Sequence, residues 1–209
     1  MDKKLFLSSS FADVAALLPG FEKNLSGKRV TFIPTASVVE KVVFYVKSGK
    51  KALEQLGLIV DELELSTATA AEIEAKLIGN DYIYVTGGNT FFLLQEMKRT
   101  GADELIINEV YSGKLYMGES AGAMVTAPTI EYAGSMDSPK KALTLNDYSA
   151  LGLVEFCTIP HYTNAPFKKI AHKIADDYSS RLDIKPISNH EAILVNGKEI
   201  RVQCAHKDM

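Results

Sequence analysis

Gly118-Glu119-Ser120-Ala121-Gly122 sets a serine between glycines, after the apolar run Lys114-Leu115-Tyr116-Met117 and before Ala123-Met124-Val125, which can continue as a helix. A serine at such a strand-to-helix turn is the nucleophile-elbow pattern. The glycines leave room for a tight, strained turn that lifts the hydroxyl clear of the sheet. The amide that follows, that of Ala121, then points to where an oxyanion would form. The chemistry this predicts is acyl transfer through Ser120.

Such a serine needs a base, and the chain offers four histidines. His172 lies inside a helical pattern from Ala165 to Tyr178 and reads as a surface residue. His206 sits in the C-terminal tail and reads as solvated, and His190 is near a strand start. His161 follows Cys157-Thr158-Ile159-Pro160, an apolar strand ended by proline, so it falls at a strand's carboxyl end and is the expected base. A further turn, Gly87-Gly88-Asn89-Thr90, follows the apolar run Tyr82-Ile83-Tyr84-Val85. Taken alone it reads as a strand-to-helix turn that uses glycine for positive φ. Its functional reading is a second oxyanion amide, from Gly88 or its neighbour. It lacks the Gly-Lys-Ser/Thr of a P-loop and does not match the dinucleotide fingerprint.

These turns must be held by a frame, and the frame is legible as alternation. Leu5-Phe6-Leu7 predicts a first strand, Phe11 to Leu18 a helix, and Val30-Thr31-Phe32-Ile33 a second strand. Val38 to Leu56 carries apolar residues at helical spacing and ends at Gly57, a C-terminal cap. Leu58 to Leu65 predicts a third strand, Thr69 to Ile78 a helix, and Phe91 to Lys98 and Asp103 to Tyr111 two more. Tyr148 to Ile159 holds another strand. Ala192 to Val195 and Glu199 to Val202 predict a terminal hairpin around Asn196-Gly197. Strand, helix, strand, helix argues for an α/β fold with a largely parallel sheet covered on both faces. Sites in such sheets lie beyond the strands' carboxyl ends, where both glycine turns fall.

Composition narrows the class. At 209 residues the chain can fill one sizeable core, so residues 1–209 are expected to form a single domain. A net charge of −3 gives no long-range pull toward nucleic acid or an anionic membrane. Cys157 and Cys204 make neither a disulfide framework nor a metal-ligand spacing, which suits a reducing cytoplasm. The opening Met1-Asp2-Lys3-Lys4-Leu5-Phe6-Leu7 is too short in its apolar part for a signal peptide, and no stretch approaches transmembrane length. No metal or organic cofactor is expected.

Three blocks together, Tyr84-Val85-Thr86-Gly87-Gly88-Asn89-Thr90-Phe91, the elbow with Ala123, and Pro160-His161-Tyr162-Thr163-Asn164, resemble the peptidase E family of serine peptidases. That family includes aspartyl dipeptidases and, more distantly, cyanophycinases. The resemblance runs from about residue 3 to the end. It implies a flavodoxin-like three-layer sandwich like the class I glutamine amidotransferases, with serine in place of their cysteine. It also implies Ser120 as nucleophile, His161 as base, Gly88 with Ala121 as oxyanion amides, Gly87 in the same turn, and Asn89 shaping the substrate pocket. The substrate implied is a small peptide, without cofactor, in a monomer or homodimer.

Two departures from that pattern stand out. Where the family places an acid beside the base, this chain has Asn189. Other assignments put an aspartate where Ser135 stands, with Asp137 just beyond, so Asp137 and Glu191 are alternatives for the third member. Neutral asparagine can orient an imidazole but stabilises imidazolium less. The arginine that aspartyl dipeptidases carry after the histidine block is also missing, and Lys168 and Lys169 are the nearby cations. The reading is a serine peptidase of small peptides, with dipeptidase activity in the family's manner as its narrower form. Its rivals are an esterase or non-peptide amide hydrolase, and a weakly active or non-catalytic relative that acts by binding.

Overall fold

The computed structural model describes residues 2–205; His206 therefore lies outside the described residues, as does Met1. The strands are β1 (Lys4–Ser8), β2 (Arg29–Ile33), β3 (Ile59–Glu62), β4 (Tyr82–Val85), β5 (Leu115–Glu119), β6 (Cys157–Ile159), β7 (Ile184–Pro186), β8 (Glu191–Asn196) and β9 (Glu199–Cys204). The helices are α1 (Phe11–Val14), α2 (Leu18–Phe21), α3 (Phe44–Gln55), α4 (Ala70–Gly79), α5 (Thr90–Thr100), α6 (Ala102–Tyr111), α7 (Ala121–Met124) and α8 (Lys168–Tyr178).

Seven strands form one sheet in the order β3-β2-β4-β5-β1-β8-β9. The first five are parallel; β8 is added antiparallel to β1, and β9 antiparallel to β8, as the expected hairpin. A short parallel pair, β6-β7, stands apart. Strands β1, β2, β4 and β5 alternate their side chains between two apolar layers. Leu5, Leu7, Ile33, Ile83, Val85 and Tyr116 face a core closed by α4, α5, α6 and α8. Phe6, Val30, Phe32, Tyr84, Leu115 and Met117 face a core closed by α1, α2 and α3. Burial on both faces is why these strands read as unbroken apolar runs. The result is the three-layer α/β sandwich that the alternation and the resemblance imply.

Some boundaries differ from those the periodicity predicts. The helix expected over Val38 to Leu56 begins at Phe44. Before it, a 3-10 turn at Thr35–Ser37 is followed by irregular chain whose Val39 carbonyl accepts from the Lys141 side chain at 2.9 Å. Val38, Val42 and Val43 are exposed there, so their helical spacing marks no core face. The expected Phe11–Leu18 helix is broken into α1, a 3-10 turn and α2, with Pro19 opening the last. The terminal turn sits one residue later than expected. Asn196 pairs with Glu199, leaving Gly197 and Lys198 at the tip. Among the described residues no helix is long and apolar enough to cross a membrane.

Candidate active site

The carboxyl ends of β1, β4, β5 and β6 converge on one cavity of about 730 Å3. That size suits a small ligand. Ser120 leaves β5 with φ 49° and ψ −107°, a backbone conformation rare for a side-chain-bearing residue. Its amide donates to the Ser8 carbonyl at 2.8 Å, which ties the turn to the neighbouring strand β1. The flanking glycines are steric necessities. A Cβ on Gly118 would stand 2.4 Å from the Gly122 carbonyl oxygen, and one on Gly122 would stand 2.2 Å from that of Val85. The first turn of α7 therefore presses directly on the strand ends, and the Ser120 side chain is pushed outward.

The Ser120 hydroxyl lies 3.1 Å from His161 Nε2, and His161 Nδ1 lies 2.7 Å from Asn189 Oδ1. An amide oxygen can only accept, so Nδ1 carries the hydrogen and Nε2 is left as the acceptor for the serine O–H. Burial holds the His161 pKa below the ordinary imidazole value, and the Asn189 contact offsets this only in part. The ring stacks on Phe167 at a centroid distance of 5.1 Å. Like Ser120, His161 has positive φ, 60°. Its amide donates to Ser9 Oγ at 3.0 Å, and Ser9 Oγ donates to the Ile187 carbonyl at 3.1 Å. Asn189 is itself placed by its amide, which donates to Asn164 Oδ1 at 2.9 Å.

The alternatives for a third member lie elsewhere. Glu191 accepts from the Ser188 amide at 2.7 Å. Asp137 accepts from the amide of Thr90 at 2.9 Å and from its hydroxyl at 2.5 Å, in the cavity wall, where burial pushes its pKa up to about 6. Ser135 is exposed in a 3-10 turn. Of the candidates named from the sequence, Ser120, His161 and Asn189 are brought together.

The glycine turn after β4 divides its roles. The Gly87 amide lies where it favours the charged form of the buried Glu119 carboxylate. The amides of Gly88 and Ala121 donate to no acceptor among the described residues and are free for a ligand. Asn89 also lines the cavity. Its Oδ1 caps α5 by accepting from the Phe92 amide at 2.9 Å, and its Nδ2 donates to the Ser138 carbonyl at 3.2 Å. That makes it a clamp between two walls. His172 is half-buried rather than on the surface, stacked on Tyr162 at 4.2 Å. Lys168 and Lys169 open α8, and neither lines the cavity.

Three contributors escape the sequence reading: Ser9, Tyr45 within the helix expected over Val38 to Leu56, and Glu119 within the elbow. Only Glu119 carried a usable signal, a carboxylate at the end of a buried strand. It is 3% exposed and accepts from the Phe11 amide and the Tyr84 hydroxyl, each at 2.9 Å. Desolvation outweighs these donors and pushes its pKa up to about 7. A carboxyl whose folded pKa is raised contributes stability that is present in full below its unfolded value, near 4.5, and lost as pH climbs to about 7. Urea unfolding from pH 6 to 7 should therefore show stability falling by up to about 1.4 kcal/mol per pH unit. Asp137, at about 6, is half titrated at pH 6 and adds to the slope at the lower end of that window. Glu119→Gln should therefore flatten the slope chiefly toward pH 7. An unchanged slope in the variant would assign the titration to another group.

Residues 5–203 match the model of peptidase family S51. The chain is 63% identical over 204 residues to an uncharacterized peptidase of Listeria innocua, covering 98% of each protein. It is also 36% identical over 149 residues to peptidase E of Salmonella arizonae, a match that covers 71% of this chain and 62% of that protein. The fold superposes with a TM-score of 0.95 on a crystal structure of a protein from Listeria monocytogenes EGD-e, 60% identical, over 99% of this chain and 100% of the other.

Proposed function

The chain belongs to peptidase family S51 and is a serine-type peptidase; on that premise we propose that it hydrolyses small peptides through Ser120 and His161 by an acyl-enzyme mechanism. One observation carries the reading: the unbroken series from the Ser120 hydroxyl through His161 to Asn189, at 3.1 and 2.7 Å. His161 Nε2 takes the proton as the Ser120 oxygen attacks the peptide carbonyl. The amides of Gly88 and Ala121 receive the oxyanion, where one donor is worth roughly 3 kcal/mol of barrier. His161 then gives its proton to the leaving amine as the C–N bond breaks. Water, deprotonated by the same imidazole, attacks the ester and releases Ser120. Asn189 acts by holding the tautomer, since it has no charge with which to stabilise imidazolium.

The test is the rate of fluorophosphonate labelling of Ser120, read by intact mass across pH. Labelling needs neutral His161, so the rate should fall as pH drops through a midpoint below about 6.5, the unperturbed imidazole value. Asn189→Asp puts a carboxylate against Nδ1 and should move that midpoint up by about 1 to 2 units. His161→Ala should abolish the labelling. Labelling that is insensitive to pH and survives in His161→Ala would refute the pairing.

A further inference from the structure

The cavity around Ser120 carries a charge pattern that says what it admits. Besides His161 and Tyr45, its titratable lining is acidic: Asp13, Glu40, Glu119 and Asp137, against one lysine, Lys141. Lys141 is already engaged, at 2.7 Å from Glu40 and 2.9 Å from the Val39 carbonyl, so it offers little to an incoming anion. Glu119 is likewise occupied by its own donors. Asp137 is different. Thr90 occupies its Oδ2 only, and Oδ1 has no partner among the described residues. A second unpaired group belongs to the same cavity wall. The Tyr45 hydroxyl is buried in the cavity wall without a hydrogen-bond partner, within the electrostatic reach of Glu40, Glu119 and Asp137. A carboxylate oxygen and a phenol oxygen, both lacking donors, suit a group that brings several N–H donors and a positive charge.

We propose that this cavity selects peptides carrying a cationic group on the acyl side of the scissile bond, held by the free oxygen of Asp137. The inference rests on the Ser120 reading above, because it takes the cavity as the substrate site. The cation is an ammonium or guanidinium, either the free α-amine of the first residue or a basic side chain. The apolar part of the lining, Val42, Phe44, Met136 and Phe167, fits the aliphatic stem of either. An acidic first residue would meet the unpaired Asp137 oxygen and the Asp13 and Glu40 carboxylates, with the one lining lysine already engaged. This pocket is therefore built against the Asp-first peptides that aspartyl dipeptidases cleave.

Calorimetric titration of Ser120→Ala with a dipeptide panel separates this proposal from the mechanism, since binding is read without turnover. Lys-Ala should bind at least about tenfold more tightly than Asp-Ala. Ala-Ala binding more tightly than N-acetyl-Ala-Ala identifies the α-amine as the cation. N-acetyl-Lys-Ala binding more tightly than N-acetyl-Ala-Ala identifies the side chain. Adding Asp137→Asn should shrink the gap between cationic and neutral peptides. Equal affinities, no measurable binding of any peptide, Asp-Ala binding tightest, or a gap untouched by Asp137→Asn would each overturn it. Wild-type hydrolysis of the same panel, assayed separately, judges the mechanism.

Discussion

Ser120→Ala should keep the fold and lose peptide hydrolysis by about 10⁴-fold or more in kcat/KM, because the proposed acyl-enzyme forms on the hydroxyl it removes. The Ser120 side chain makes one hydrogen bond, to His161, and its backbone partner Ser8 is untouched by the change. Loss of that single bond should shift stability by about 1 kcal/mol at most. Activity and stability are thus expected to separate cleanly. Circular dichroism and urea unfolding, run beside kinetics on a short-peptide panel, read the two quantities independently. Hydrolysis that persists in the variant would mean that Ser120 is not the nucleophile, whatever its geometry.

Gly88→Ala should damage both quantities at once. At φ +134°, Gly88 has a backbone that a side-chain-bearing residue rarely adopts, and an added Cβ would lie 2.1 Å from the Ala36 carbonyl oxygen and 2.6 Å from the Ser37 amide. That neighbouring backbone cannot move aside cheaply, since the Ala36 carbonyl also accepts from the Asn89 amide at 2.8 Å. Overpacking of this kind costs about 1–3 kcal/mol. The turn would shift, and with it the free amide proposed to hold the oxyanion, lowering kcat by roughly 10²- to 10³-fold. Gly101→Ala is the control. It has positive φ but open space around the added Cβ, and it caps α5 away from the cavity. It should lose about 1 kcal/mol of stability and keep full activity. If Gly88→Ala kept full kcat, the oxyanion assignment would fail while the serine chemistry stood.

Much of this was readable in order along the chain, for a definite reason. The parallel strands bury both faces, so β2, β4 and β5 appear as short apolar runs. The long helices carry their own caps, such as Thr69 before α4 and Gly101 after α5. The stretch from Val38 to Val43 misled because helical spacing is only a pattern of apolar positions. Here those side chains border the cavity and solvent, and the Val39 carbonyl is taken by Lys141 instead of by a helical amide. The elbow was legible because its demand is local. Five residues must bend sharply, so glycine stands where a Cβ would strike the backbone.

What the sequence determined on its own was the class of chemistry and the frame: an α/β sheet with a nucleophile turn and a second glycine turn at strand ends. The tertiary structure alone decided the partners. Asn189 rather than Asp137 or Glu191 stands against His161, Ser9 holds the His161 amide across 152 positions of chain, and Asp137 faces the cavity with one oxygen free. Turns are written in neighbouring residues because backbone strain is local. Which side chains meet depends on strand order and register, and those are settled by packing distant segments into shared cores, which no local spacing records.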